Sequence, residues 1–210
     1  MRVIEVSQYG GPENLRLVDR DDPQPSGGKV RVRVRATVVN PTDVWTREGA
    51  MAAMTPNAAV PIVLGWDFAG ELIDPADGFV VGQQVAGLYP WFAEGDGTGT
   101  YAEIVLADPS WLAPVPDGAD LTGAATLAMN AQTARQGLDL LELKPGQTVL
   151  VTGASGAVGG FAVQLAAADG ASVVAVASNG DEDWAGSLGA TAVVGRDGIV
   201  AAVRERFPDG

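Results

Sequence analysis

Between Gln147 and Gly170 the spacing of apolar positions changes period within one unbroken stretch, QTVLVTGASGAVGGFAVQLAAADG. Thr148 to Val151 is a short, β-branched apolar run of the kind a buried parallel strand shows. Gly153-Ala154-Ser155-Gly156-Ala157-Val158-Gly159 follows, with apolar residues at Val158, Phe161, Ala162, Leu165 and Ala166, the i, i+3, i+4 spacing of one helix face. Gly170 is placed to end that helix in a left-handed conformation. A second strand and helix are predicted at Ser172 to Ala177 and Asp181 to Leu188, and a third strand begins at Ala192. Alternation of this kind builds a parallel sheet with helical crossovers, an α/β architecture.

Upstream, Met1 to Asp120 is rich in strand signals and poor in helix signals. Short apolar or alternating runs occur at Val3 to Val6, Leu15 to Val18, Val30 to Val39, Ile62 to Val63, Phe68 to Ile73, Gln84 to Leu88 and Tyr101 to Leu106. Turn formers separate them, among them Gly10-Gly11-Pro12, Pro23 to Gly28, Asp74 to Gly78 and Gly95 to Gly99. Lys29 to Arg35 alternates strictly, so its strand has one apolar face and one cationic face, the latter read as solvated. This half is predicted to be a compact, partly open β-barrel. Leu112 to Gly118 breaks both periods with two prolines and a glycine, predicting domains 1–118 and 119–210. From Leu121 to Leu143 the pattern is helical, with apolar residues at Ala124, Leu127, Ala128 and Ala131 and later at Ala134, Leu138 and Leu141, until Lys144-Pro145-Gly146 ends it.

Composition narrows the chemistry. The chain has 210 residues, 47% of them hydrophobic, enough for one or two cores. Its formal charge of −13 argues against nucleic acid and against an anionic membrane surface as partners. There is no cysteine and no histidine, which excludes disulfides, thiol nucleophiles and His-dependent triads within this chain and removes the usual zinc ligands. No apolar run approaches membrane-spanning length and the N-terminus has no apolar signal core, so a soluble cytoplasmic protein is expected.

The glycine turn has the composition a diphosphate needs. Gly156 has no Cβ to hold the backbone off, Gly159 lets helix and strand pack closely, and the first amides of the helix point at the anion. The pattern departs from G-x-G-x-x-G in having Ala154 at the first position, with Gly153 one place earlier. Thr152 to Gly159 also fits the T-G-x-x-G-x-x-G of short-chain reductases. In that class the motif sits near the N-terminus, whereas here about 150 residues precede it.

Several separated stretches together resemble the zinc-free, quinone oxidoreductase-like branch of the medium-chain dehydrogenase/reductase superfamily. They are YGGPENLRL, VVNPTDVWTREG, VPIVLGWDFAGEL, VGQQVAG, GTYAEIVL, LAPVPDGADL, NAQTARQGL, LKPGQTVLVTGASGAVGGFAVQLA and LGATAVV, running over essentially the whole chain. The resemblance implies a GroES-like barrel joined to a Rossmann domain, and hydride transfer from NADPH to a quinone or a conjugated enone. Zinc-dependent relatives carry a cysteine where this chain has Asn40 and a His-Glu pair where it has Trp66-Asp67, so no zinc is implied. Asn40 is then expected to bond the acceptor carbonyl or the nicotinamide amide, Thr42 to match a proton-relaying hydroxyl and Trp45 to form an apolar wall. The competing readings are turn and capping chemistry for Asn-Pro-Thr-Asp and a core position for Trp45. Thr133, Ser155, Gly156, Ala157, Val158, Gly159 and Ser178 match cofactor-binding positions. Asp181 stands where relatives often place a lysine for the 2′-phosphate, with Glu182 and Asp183 following, so NADH is not excluded. Arg196 either compensates at that phosphate or is an ordinary helix-terminal arginine.

The final residues, VRERFPDG, fall just before the family's fourth Rossmann strand, so only the first three strands are expected, in the order 3-2-1. By that reading this polypeptide is truncated, binds dinucleotide weakly and turns over little alone. A non-catalytic scaffold or interaction module derived from the family is the alternative function, and a homo-oligomer is left open.

Overall fold

The computed structural model describes residues 1–54, 59–94 and 97–207. They divide into two compact units, Met1–Met129 and Asn130–Gly210. The expected turn at Gly95 to Gly99 and the end of VRERFPDG lie partly outside the described residues.

In the first unit, β3 (Val30–Thr37), β5 (Asp67–Leu72), β6 (Gln84–Leu88), β7 (Ile104–Ala107) and β8 (Leu112–Pro114) form an antiparallel sheet in the order β7-β3-β5-β6-β8. A smaller sheet pairs β1 (Arg2–Val6) with β2 (Leu15–Asp19) and β4 (Ile62–Val63), in the order β2-β1-β4. Alternation turns Val6, Val32, Ile62, Phe68, Leu72 and Val85 into one core. On the opposite face of β3 the arginines are solvated and ion-paired, Arg31 to Asp74 at 2.7 Å and Arg35 to Glu71 at 2.9 Å. The last expected strand starts later than its apolar run, at Ile104, because Ala102 makes only an isolated bridge to Val3.

Two elements were not legible from periodicity. Pro41–Glu48 is a helix, α1, where Asn-Pro-Thr-Asp was read as turn and capping chemistry without a helix range: Asn40 caps it, Pro41 opens it and Gly49 closes it at φ 89°. Leu112–Pro114 joins the sheet edge as β8 despite its proline, which an edge strand tolerates.

The single helix expected from Leu121 to Leu143 is three pieces: α3 (Leu121–Ala125), a π-helical turn (Leu127–Ala131) and α4 (Gln132–Leu140). The wider turn resets the phase, so Ala124, Ala128, Ala134 and Leu138 are buried while Leu127 and Leu141 are exposed. Ala124 and Ala125 pack with Ala69 and Val115, which attaches α3 to the first unit and puts the division after Met129 rather than after residue 118.

The second unit is a parallel sheet of β9 (Thr148–Val151), β10 (Ser172–Val176) and β11 (Ala192–Val194) in the order β11-β10-β9, the expected 3-2-1 arrangement. Val173 and Ala175 face α5 (Ala157–Ala168) and α6 (Glu182–Ser187), packing with Val163, Ala166 and Ala185. Val174 and Val176 face the other way, onto Ile199, Ala202 and Val203 of α7 (Ile199–Arg206). The buried stripe of α5 is Gly160, Val163 and Ala166, rotated from the expected face, and Val158 is exposed. This helix is apolar nearly all round, so spacing alone could not phase it. Gly170 is left-handed at φ 83°, as expected. Among the described residues no helix is long and apolar enough to cross a membrane.

Candidate functional site

The expected site residues fall into two groups, one in each unit. In the second unit the group converges at the C-terminal ends of the three parallel strands. Gly153 adopts φ 67°, turning the chain from β9 toward α5. Gly156 is the extended N-cap of α5, and its N–H donates to the Gly153 carbonyl at 2.9 Å. Gly159 is the position sterics dictate: a Cβ there would lie 2.1 Å from the Gly153 carbonyl oxygen. Ala157 and Val158 are exposed in the first helical turn, where backbone amides have no intrahelical acceptor. The arrangement is a concave run of N–H groups at the positive end of a helix, which suits an anion.

Three side chains extend this turn across the sheet. The Ser155 hydroxyl accepts the Ser178 backbone N–H at 2.9 Å, and the Ser178 hydroxyl accepts Arg196 Nη2 at 2.8 Å. Arg196 lies between β11 and α7 rather than at a helix end, exposed and without an ion pair among the described residues. Glu182, one of the three neighbouring acids, receives the Gly180 N–H at 2.7 Å and so is turned onto its own loop. Thr133 is exposed in the first turn of α4. A cleft of about 300 Å³ beside the turn is lined by Ser155, Gly156, Ala157, Gly160, Phe161, Gln164 and Trp184.

In the first unit the group is built around two buried carboxylates that sequence reasoning missed. Asn40 is buried, its N–H donates to Asp43 Oδ2 at 2.8 Å, and its Nδ2 donates to Asp67 Oδ2 at 3.0 Å. Asp43 Oδ1 accepts the Gly65 N–H at 3.0 Å, tying the start of α1 to the chain entering β5. Asp67 has no exposed surface and its Oδ1 has no hydrogen-bond partner among the described residues. Burial pushes the Asp67 carboxyl up to about 6, against the Asn40 bond and with help from the negative charge of Asp43. Asp43 is also raised by burial, though its two backbone N–H donors and Tyr101 oppose the rise. The Tyr101 hydroxyl is raised by burial and by the nearby Asp43 charge, without a hydrogen bond of normal geometry. Thr42 Oγ1 is buried and has no hydrogen-bond partner among the described residues. Trp45 is half exposed, so it is not a core residue.

Both acids left a trace in the sequence. Asp43 stands three residues after a helix-capping Asn, the spacing of a capping box, and Asp67 interrupts the apolar run of VPIVLGWDFAGEL.

Residues 26–117 match the alcohol dehydrogenase GroES-like domain. The quinone oxidoreductase of Rattus norvegicus is 34% identical over 184 residues, covering 85% of this chain and 53% of the relative. The mycoketide-CoA synthase of Mycobacterium tuberculosis is 38% identical over 192 residues, covering 89% of this chain and 4% of that protein. The solved quinone oxidoreductase from Coxiella burnetii superposes with a TM-score of 0.85 at 31% identity, over 96% of this chain and 65% of that one. A solved NAD-dependent alcohol dehydrogenase gives a TM-score of 0.88 at 31% identity, over 99% of this chain and 68% of that one. The chain thus spans about half the length of the quinone oxidoreductases it matches. A GroES-like first half, a three-stranded Rossmann-type sheet and these relatives together make the chain a member of the medium-chain dehydrogenase/reductase superfamily.

Proposed function

We propose that this chain belongs to an oxidoreductase that uses NADPH to reduce a quinone or a conjugated enone without zinc. In this reading the GroES-like part takes the acceptor and the Rossmann part takes the dinucleotide. The observation that carries it is the continuous polar path from the Gly153–Gly159 turn through Ser155 and Ser178 to Arg196. The turn suits a diphosphate, since Gly159 lets the Gly153 carbonyl pack against the helix while Gly156, Ala157 and Val158 at its start stay exposed. At the far end, Arg196 supplies positive charge next to a small hydroxyl, the pairing that suits a ribose 2′-phosphate.

A bound nicotinamide supplies a hydride, and the reduced acceptor also needs a proton. With no cysteine or histidine in the chain, polarisation of the acceptor falls to neutral donors. Thr42 is such a donor, its hydroxyl buried without a partner of its own. Asn40 is held rigidly beside it by two carboxylates, and Trp45 offers an apolar surface.

Calorimetric titration of the chain with NADPH, NADH and 2′-phospho-AMP tests this reading. NADPH is expected to bind at least about ten-fold more tightly than NADH, and Arg196→Gln to abolish the difference. Equal affinities refute the NADPH assignment, and no binding of either dinucleotide refutes the oxidoreductase reading in favour of a non-catalytic module.

A further inference from the structure

Asp67 meets three parts of the first unit from one buried position. It sits at the start of β5, its Oδ2 accepts Asn40 Nδ2 at 3.0 Å from the start of α1, and the Met129 backbone N–H also hydrogen-bonds the carboxylate. Met129 lies in the π-helical turn and is the last residue of the first unit. The Asp67 backbone carbonyl accepts from Thr37 Oγ1 at 2.8 Å and Thr100 Oγ1 at 3.0 Å, so β5 itself cannot drift at this point.

We propose that Asp67 is the positioning residue of the candidate site, its carboxylate holding the Asn40 side chain and the Met129 amide in one arrangement and loosening both when it takes up a proton.

The geometry makes the carboxylate responsive. No Lys or Arg among the described residues forms an ion pair with it, so amide donors alone stabilise its charge. Oδ1, fully buried, has neither protein donor nor solvent, which leaves the anion poorly compensated. The titratable groups acting on it are Asp43 from α1 and Tyr101 from the segment before β7. Asp43 adds a like charge, and Tyr101, whose own proton is held more tightly than usual, stays neutral. Protonation removes the charge assistance from two N–H···O bonds at once, and such bonds are about twice as strong as neutral ones. The segments carrying Asn40 and Met129 then respond together because they share one acceptor.

The inference depends on the oxidoreductase reading only for its consequence in turnover; the contacts are tested without cofactor. In isotope-labelled protein, the Asp67 carboxyl carbon, the Asn40 side-chain amide and the Met129 amide are followed from about pH 4.5 to 8.5. All three should report a transition centred near 6, with Met129 exchange, corrected for its intrinsic pH dependence, about ten-fold faster on the acid side. Asp67→Asn should abolish the transition at Asn40 and Met129. Asp43→Asn should keep it and lower its midpoint, because a like charge is gone. An Asp67 carboxyl that titrates below about pH 4.5, or Asn40 and Met129 signals that ignore it, overturns the proposal; the carboxyl measurement on unmodified protein decides even if a variant fails to fold. Absence of dinucleotide binding in the same samples counts against the oxidoreductase reading alone.

Discussion

Gly159→Ala puts the geometry of the glycine turn to a quantitative test. The new methyl carbon would lie 2.1 Å from the Gly153 carbonyl oxygen, 2.6 Å from its carbonyl carbon and 2.9 Å from Ala154 Cα. All three are backbone atoms, and Ala154 is fully buried with its N–H bonded to the Val176 carbonyl at 3.0 Å, so the turn has little room to yield. Non-bonded carbons settle at about 3.5 Å, which requires a displacement on the order of 1 Å between α5 and the end of β9. Overpacking of that kind costs about 1–3 kcal/mol, against which alanine gains at most about 1 kcal/mol in helix propensity. A net loss of about 1–2 kcal/mol is expected, read as urea sensitivity of amide exchange in β9 and α5. Gly160→Ala is the control, since its Cβ would meet the tip of the Trp184 ring at 2.9 Å, a side chain that can swing. Gly156→Ala is milder still, at 3.3 Å from the Gly153 oxygen. If Gly159→Ala proves as stable as the unmodified chain, or no worse than Gly160→Ala, the reasoning fails.

Asp67 makes an opposite kind of prediction, about pH. Its folded-state carboxyl is raised from 3.8 to about 6, so the stabilisation is complete below the unfolded value and is lost as pH rises through the folded one. Urea unfolding should therefore show the first unit less stable at about pH 8 than at pH 5, by on the order of 1 kcal/mol, and Asp67→Asn should flatten the slope. Asp74 and Glu71 act in the other direction, because Arg31 and Arg35 hold their carboxyls below the usual range, so stability should fall again at more acid pH. Thr42→Val removes a hydroxyl without a partner and should leave stability unchanged or raised, while lowering any quinone reductase rate; Thr46→Val, which breaks a 2.7 Å bond to the Thr42 carbonyl, should cost about 1 kcal/mol. A stability loss for Thr42→Val as large as that for Thr46→Val would count against a vacant hydroxyl.

The parallel sheet was readable in the sequence because its strands are buried on both faces and announce themselves as apolar runs between glycines, as at Thr148 to Val151 and Ser172 to Val176. What periodicity missed has specific causes. The first residues of α1, Pro41, Thr42 and Asp43, belong to turn and cap vocabulary, and its interior has only Val44 and Trp45 as apolar residues, too few to mark a face. The π-helical turn at Leu127–Ala131 is invisible to a search at one fixed period, so Leu121 to Leu143 reads as one continuous helix. In α5, a helix with little polar contrast, the burial of Val163 and exposure of Val158 are decided by contacts with β10 and α6 rather than by spacing.

The candidate site shows the same division between chemistry and placement. The resemblance marks Ser155 and Ser178 as cofactor positions and leaves Arg196 open, yet the hydrogen bonds joining them depend on three strand ends separated by 18 and 23 residues along the chain. No local pattern encodes that convergence; the 3-2-1 strand order does. Asp43 and Asp67 are the converse case: their positions leave a trace in the sequence, but only burial shows what they hold. A buried carboxylate that merely reinforced the fold would be expected to pair with a cation or fill its acceptor sites, as Asp74 does with Arg31. Asp67 does neither. Its uncompensated charge lowers stability at neutral pH, so the advantage of keeping an acid there has to lie in what it holds, the Asn40 amide at the mouth of α1 and the Met129 N–H at the end of the first unit.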